Sequence, residues 1–249
     1  KTSASQQTES AAPSASPTPT DGRTCSVSTD STDPRLGSFQ AVVIDAATDT
    51  VLFDRGANTP AATASTMKLL TAGAALNTLG PNYRVDTRVY QDPTQPGTVI
   101  LVGGGDPTLS RTAPGQQSVY RDAPKLSTLA VGVNAKMGTT PITKIIVDGS
   151  IFTGPTWEPS WERSEQTNGY MSEVTGLQVD GDRQNPAAET SPRTTTPVLN
   201  AGKYFKKALG ALAANATIVE GKVPGNAVEI TKVSSQPISV WIKHMLQVS

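Results

Sequence analysis

The sequence predicts a mixed α+β protein whose main domain is interrupted by an insertion. Candidate strands and helices interleave irregularly along the 249 residues. No self-similarity at a fixed period marks a solenoid. A polar leader gives way to segments that can pack, and these change character after Pro81. The length suits one large domain or two small ones.

Bulk composition removes several function classes. Lys plus Arg number 21, as do Asp plus Glu, so the net charge is zero. That argues against a nucleic-acid partner, which needs a basic face. No run of about 18 apolar residues exists, so no membrane-spanning segment is expected. With one cysteine, Cys25, and one histidine, His244, the chain has no His/Cys zinc set. Cys25 reads as an incidental thiol, and His244 as a packed or surface residue rather than a proton carrier. The chain starts at Lys1 rather than Met, so any targeting signal is expected to have been removed or omitted.

Residues 1–35 are rich in Ser, Thr, Ala, Pro and Gln, with little to bury. Such a segment reads as a tether or a dispensable tail. Phe39 to Asp45 and Val51 to Asp54 form a predicted hairpin around the turn Ala46 to Thr50. A helix follows, with Leu69, Ala72, Leu76 and Leu79 at three- and four-residue steps and Gly80-Pro81 as its stop. Tyr83 to Tyr90 and Thr98 to Val102 read as strands. Gly103-Gly104-Gly105-Asp106-Pro107 reads as a tight turn, because no Gly-Lys-Ser/Thr follows to make a phosphate loop. Tyr120 to Lys136 is a predicted helix and Ile142 to Asp148 a buried strand.

The stretch from Thr156 to Gly176 is loop-rich. Its acids Glu158, Glu162 and Glu165 fit a solvated loop better than a glycosidase pair. Asp180-Gly181-Asp182 reads as a turn rather than a calcium loop, which needs more acids. Asn200 to Asn215 is a predicted helix and Ala227 to Lys232 a strand. Pro237 to Ser249 is a last helix with proline at its start. It carries no stop signal, so the natural polypeptide is expected to continue.

The stretch with chemistry is Ala64-Ser65-Thr66-Met67-Lys68. Ser65 falls at the helix start and Lys68 one turn on, so hydroxyl and amine lie on one side. A helix start also presents unpaired N–H groups and a positive dipole end, suited to a developing oxyanion. A serine that passes its proton to a lysine is the Ser-Lys form of nucleophilic acyl transfer. The pair also arises by chance in a serine-rich chain, where Ser caps helices and Lys covers surfaces. The ordered context separates the two readings.

Taken together, the segments resemble the D-alanyl-D-alanine carboxypeptidase/endopeptidases, the low-molecular-mass class C penicillin-binding proteins. The resemblance runs through Ala64 to Ala72, Leu101 to Leu109, Ile146 to Phe152 and Ile238 to Ser249, covering roughly residues 36–249. It implies a β-lactamase/transpeptidase-like catalytic domain, incomplete here, interrupted by a mostly β inserted domain. On that pattern residues 36–81 and 236–249 are catalytic and residues 82–235 are the insertion. Ser65 would be the nucleophile, Lys68 its proton acceptor, and Ser249 the first residue of a Ser-x-Asn motif serving the leaving amine. Asp148 and Phe152 match a segment that contacts the amine end of a substrate side chain. Implied partners are peptidoglycan stem peptides and β-lactams, with no metal or organic cofactor. The implied setting is the extracytoplasmic cell envelope, with a membrane anchor ahead of the leader. The Asn of the second motif and the whole Lys-Thr-Gly motif are absent, so these residues alone are expected to be inactive. A serine β-lactamase brings its second motif sooner and fits less well. A non-catalytic envelope protein that binds muropeptides is the alternative of another class.

Overall fold

The structure, a computed structural model, describes residues 27–248. Cys25, Ser249 and most of the predicted leader lie outside the described residues. The chain divides into one unit ending at Ala62 and a second beginning at Thr63.

In the first unit, residues 30–32 and 34–36 form short 3-10 turns, the second capped by the Asp33 carboxylate. The predicted hairpin follows as β1 (Ala41–Ile44) and β2 (Val51–Arg55), antiparallel with Ala41 opposite Arg55. Asp45 shapes the turn by accepting from the N–H groups of Ala47 (2.8 Å) and Thr48 (3.0 Å). Val42, Ile44, Val51 and Leu52 are all exposed.

The second unit opens with a 3-10 turn, Ala64–Thr66, that runs into α1 (Met67–Leu79). Gly80 ends the helix with φ near +79° and donates its N–H to the Leu76 carbonyl, as the Gly-Pro signal predicts. The apolar stripe of α1 is another matter. Only Ala72 is buried, while Leu69, Leu70, Leu76 and Leu79 are exposed.

A five-stranded mixed sheet forms the centre of this unit. Its strands are β3 (Asp86–Gln91), β4 (Thr98–Val102), β5 (Lys144–Asp148), β6 (Thr217–Glu220) and β7 (Val228–Ser234). Their order is β6-β5-β4-β3-β7, with β4, β5 and β6 parallel and β3 antiparallel to both its neighbours. The parallel steps are made by crossover helices. α2 (Leu126–Met137) joins β4 to β5, and α4 (Pro197–Leu209) joins β5 to β6. A short α3 (Ser164–Asn168) lies in the loop-rich stretch.

The core lies between the sheet and α2/α4. Val99, Leu101, Ile145 and Val147 meet Leu129 and Val133 of α2 and Ala201 and Phe205 of α4, all essentially inaccessible to solvent. Close approach is bought with glycine: a Cβ on Gly202 would stand 2.7 Å from Ile218 and 2.8 Å from Val147. The stretch read as largely β thus carries packed helices as well as strands, a two-layer α/β arrangement. β6 is an element the sequence reading lacked, and α2 begins six residues later than expected because residues 120–125 form a loop.

The last helix, α5 (Ile238–Gln247), packs with α1. Chain segments entering and leaving the sheet run side by side. Ser235 donates its N–H to the Val85 carbonyl (2.8 Å), and its hydroxyl accepts from the Val85 N–H (3.1 Å). The N–H groups of Ile238 and Ser239 bond to the carbonyls of Tyr83 (2.9 Å) and Pro81 (3.2 Å). Residues 81–85 and 235–239 therefore form a paired neck between the sheet and the α1–α5 pair.

Candidate active site

Three residues of 3-10 turn precede α1, and they decide where Ser65 points. Ala64 holds φ near +45°, a left-handed conformation uncommon for a residue with a Cβ. Such strain is retained at functional sites when the surroundings over-determine it. Thr66 closes the turn by donating both its N–H and its hydroxyl to the Thr63 carbonyl. Lys68 lies in the first turn of α1, three residues beyond Ser65, and its Nζ donates to Ser65 Oγ at 2.9 Å. Ser65 is exposed and Lys68 half-buried. A hydroxyl open to a substrate and in contact with an amine is the geometry that a Ser-Lys nucleophile requires.

Asp148 and Phe152 stand at a second place. The carboxyl ends of β5 and β6, the start of α4 and the loop 152–156 enclose a cavity of about 560 Å³. Both residues line it, with Ser150, Glu173, Glu220 and Lys222, and its lining includes neither Ser65 nor Lys68. A crevice outside the carboxyl ends of parallel strands is the usual ligand position in an open sheet.

The Asp148 carboxylate is buried and fully engaged. One oxygen accepts from the Ser150 N–H (3.0 Å) and hydroxyl (2.7 Å), the other from the Val223 N–H (2.7 Å). Burial pushes this carboxyl up, but the N–H groups of Ser150 and Val223, the Ser150 hydroxyl and the Lys222 charge together hold it below the usual carboxylate range. Phe152, by contrast, is half exposed, and a Cβ on Gly105 would come within 2.8 Å of its ring.

The glycine run is irregular chain with a bend at Gly105 and a turn only from Pro107, and its glycines are needed for packing. A Cβ on Gly103 would lie 2.2 Å from the Gly176 carbonyl oxygen, and one on Gly104 2.3 Å from that of Asp86. Asp180, Gly181 and Asp182 all hold φ between +54° and +57° and are buried. Their carboxylates face protein groups. Arg111 pairs with Asp180 at 3.0 Å, and Asp182 accepts from the N–H and hydroxyl of Thr194. Among the described residues no cluster of His, Cys, Asp and Glu could hold a metal ion.

Glu158 and Glu162 are exposed on their loop. The buried acid of that region is instead Glu173, which pairs with Arg163 and accepts from the Thr156 hydroxyl. Its partners Gln166, Arg163 and Thr156 lie seven to seventeen residues away, so no local pattern singles it out. Ser249 lies outside the described residues; α5, which leads to it, ends at Gln247 with Val248 as its cap.

The model of the D-Ala-D-Ala carboxypeptidase 3 (S13) family matches residues 24–192. A carboxypeptidase of Mycobacterium tuberculosis is 37% identical over 229 residues, covering 92% of this chain and 49% of the relative. The carboxypeptidase DacB of Mycolicibacterium smegmatis is 35% identical over 217 residues, 87% of this chain and 46% of that protein. The chain thus spans about half the length of the curated relatives it matches. Penicillin-binding protein 4 of Haemophilus influenzae shares the fold, with a TM-score of 0.63 at 16% identity over 80% of this chain and 56% of that one. A second structure of that protein, complexed with a β-lactam, gives a TM-score of 0.51.

Proposed function

The chain belongs to the D-Ala-D-Ala carboxypeptidase 3 (S13) family, and from that premise we propose that it is part of a serine D,D-peptidase acylated at Ser65. The observation that carries the reading is the 2.9 Å contact between Lys68 Nζ and Ser65 Oγ at the head of α1. Ser65 Oγ attacks the carbonyl carbon of the terminal D-Ala–D-Ala peptide bond, and its proton passes to Lys68 with the amine in its neutral form. The tetrahedral intermediate collapses to an ester on Ser65 and releases D-alanine, whose amine takes a proton through Ser249. Water then hydrolyses the ester. Neither metal nor organic cofactor enters these steps.

The substrate class is the stem peptide of peptidoglycan. β-Lactams act as acylating mimics, a reading supported by the β-lactam complex of the Haemophilus relative. Residues 36–81 and 236–249 belong to the catalytic domain and 82–235 to the insertion, a division supported by the paired neck at 81–85 and 235–239. The exposed apolar residues of α1 and of the β1–β2 hairpin fit a larger catalytic domain in which both are covered. Phe152 contributes an apolar wall toward the substrate side chain, and Asp148 fixes that wall from beneath. The protein works in the extracytoplasmic envelope, with residues 1–35 as a spacer toward a membrane anchor. Among the described residues no helix is long and apolar enough to cross a membrane.

Fluorescent penicillin tests the reaction directly. The full-length polypeptide containing this chain is expected to be labelled covalently and to release D-alanine from pentapeptide muropeptides. Ser65→Ala and Lys68→Ala should abolish labelling. Labelling that survives in Ser65→Ala, or an unlabelled wild type that only binds muropeptides, would overturn the proposal.

A further inference from the structure

Helix α5 is held at both ends, and the two anchors belong to different parts of the chain. At its start, Ile238 and Ser239 bond to the backbone of Pro81 and Tyr83, just beyond α1. At its last turn, His244 meets residues from the middle of the sequence. Its ring stands edge-on to Tyr120 with centroids 5.3 Å apart, and its Nε2 lies 3.6 Å from Glu189 Oε2. That nitrogen is buried and has no hydrogen-bond partner among the described residues.

The groups that face His244 are themselves fixed. Arg183 Nη1 donates to the Tyr120 hydroxyl at 2.6 Å, and its guanidinium lies 4.9 Å from the Tyr120 ring centre. Arg183 Nε donates to the carbonyls of Ala188 and Glu189, both at 3.2 Å, while Nη2 stands 3.7 Å from the Glu189 carboxylate. Gly181 makes the arrangement possible, since a Cβ there would lie 2.7 Å from Arg183 Nη1 and 2.8 Å from the Tyr120 hydroxyl. Tyr120, Arg183 and Glu189 therefore form a preassembled seat, and His244 is the α5 side chain set against it.

We infer that Glu189, Arg183 and Tyr120 are positioning residues that act through His244 to set the last turn of α5, the turn that leads in sequence to Ser249. This rests on the proposed role of Ser249. The physical argument is leverage. Val248 N–H bonds to the His244 carbonyl, so the residue that seats the helix also caps it immediately before Ser249. A residue acting from the chain just past this turn depends on where the turn ends, and displacements of about 1 Å cost reaction rate far more than they cost binding. The seat lies within residues 82–235, so the proposed insertion is given a part in the chemistry of the catalytic domain.

The test uses the full-length enzyme with Glu189→Gln, His244→Gln and the conservative Glu189→Asp. Stopped-flow acylation by a fluorescent penicillin separates the affinity of the first complex from the acylation rate constant. Glu189→Gln and His244→Gln are expected to lower the rate constant about 3- to 10-fold with affinity unchanged, and Glu189→Asp to recover at least half of the loss. Amide hydrogen exchange supplies a readout independent of the reaction. Exchange should quicken at residues 245–248 in the first two variants and stay unchanged in α1 and the sheet. Unchanged acylation rate constants would overturn the inference, as would unchanged exchange at the end of α5. So would an equal loss in Glu189→Asp together with a general fall in melting temperature. Failure of the wild type to be labelled at Ser65 would overturn the proposed reaction instead, while the exchange comparison would still decide whether the seat holds the helix.

Discussion

Asp148 separates two uses of one carboxylate. Resemblance assigns it to a substrate amine, whereas both of its oxygens are engaged by Ser150 and Val223. Asp148→Asn keeps the oxygen that serves Ser150 but turns an amide N–H₂ toward the Val223 N–H, 2.7 Å away in the parent. One hydrogen bond to a charged acceptor is lost, and a poorly accessible donor faces another donor. Together these cost about 2–4 kcal/mol. For a unit of this size that is a fall in melting temperature of about 5–12 °C.

The pH dependence carries a sign. The native carboxyl titrates below its ordinary value, so its stabilisation is complete above the unfolded carboxylate range of about pH 4. It is lost as pH falls through the lower native value. The deficit of the variant should therefore be full at pH 7 and shrink toward pH 3, when thermal melts of both proteins are followed by circular dichroism. A variant that melts within about 1 °C of the parent at pH 7 and loses only turnover would refute the anchoring argument and restore the substrate contact.

Two further predictions concern the glycine turn after β4. Asp106 is 3% exposed, one oxygen accepts from the Thr108 N–H and hydroxyl, and the other has no partner among the described residues. Burial prevails over those bonds and pushes its carboxyl up to about 6. A raised native value means that stability is lost as pH rises from about 4 to 6, by roughly 3 kcal/mol from this group. Asp106→Asn should flatten that slope in urea titrations at pH 4.5 and 7, and parallel slopes would refute it. Gly103→Ala drives a methyl group to 2.2 Å from the Gly176 oxygen and 2.6 Å from Leu177 Cα, both backbone atoms that cannot swing aside. A loss of about 3 kcal/mol or more is expected in melts. Gly73→Ala in α1, which meets nothing within 4 Å, should instead be neutral or stabilising by up to about 1 kcal/mol.

What could be read ahead of the structure follows the range of the interactions involved. Ser65 and Lys68 are three residues apart at a helix start, so local geometry brings their side chains together whatever the rest of the chain does. Gly80 stopped α1 for the same local reason. β6 escaped notice because Thr217–Glu220 is four residues long at the outer edge of the sheet, too short for a periodicity to show. Residues 120–125 scan as helix, but Tyr120 is held by Arg183 and Lys125 bonds to the Gln116 carbonyl. Those tertiary bonds override a propensity worth only tenths of a kcal/mol per residue.

The same reasoning explains why the roles of Asp148 and His244 were hidden while their positions were legible. A strand ending in an acid is visible in Ile145-Ile146-Val147-Asp148. That the acid holds a backbone N–H 75 residues away is not, because nothing local to either end encodes the pairing. His244 likewise scans as one polar residue on an amphipathic helix, and its significance appears only once Tyr120 and Glu189 are brought beside it. In both cases a residue close in sequence to a candidate catalytic or substrate-contacting position is held by a partner deep in residues 82–235. Residues 82–235 therefore do more than separate the two ends of the proposed catalytic domain. Asp148 bonds the backbone at Ser150, and the loops that carry Tyr120 and Glu189 meet the last turn of α5, two places from which small displacements reach the proposed reaction.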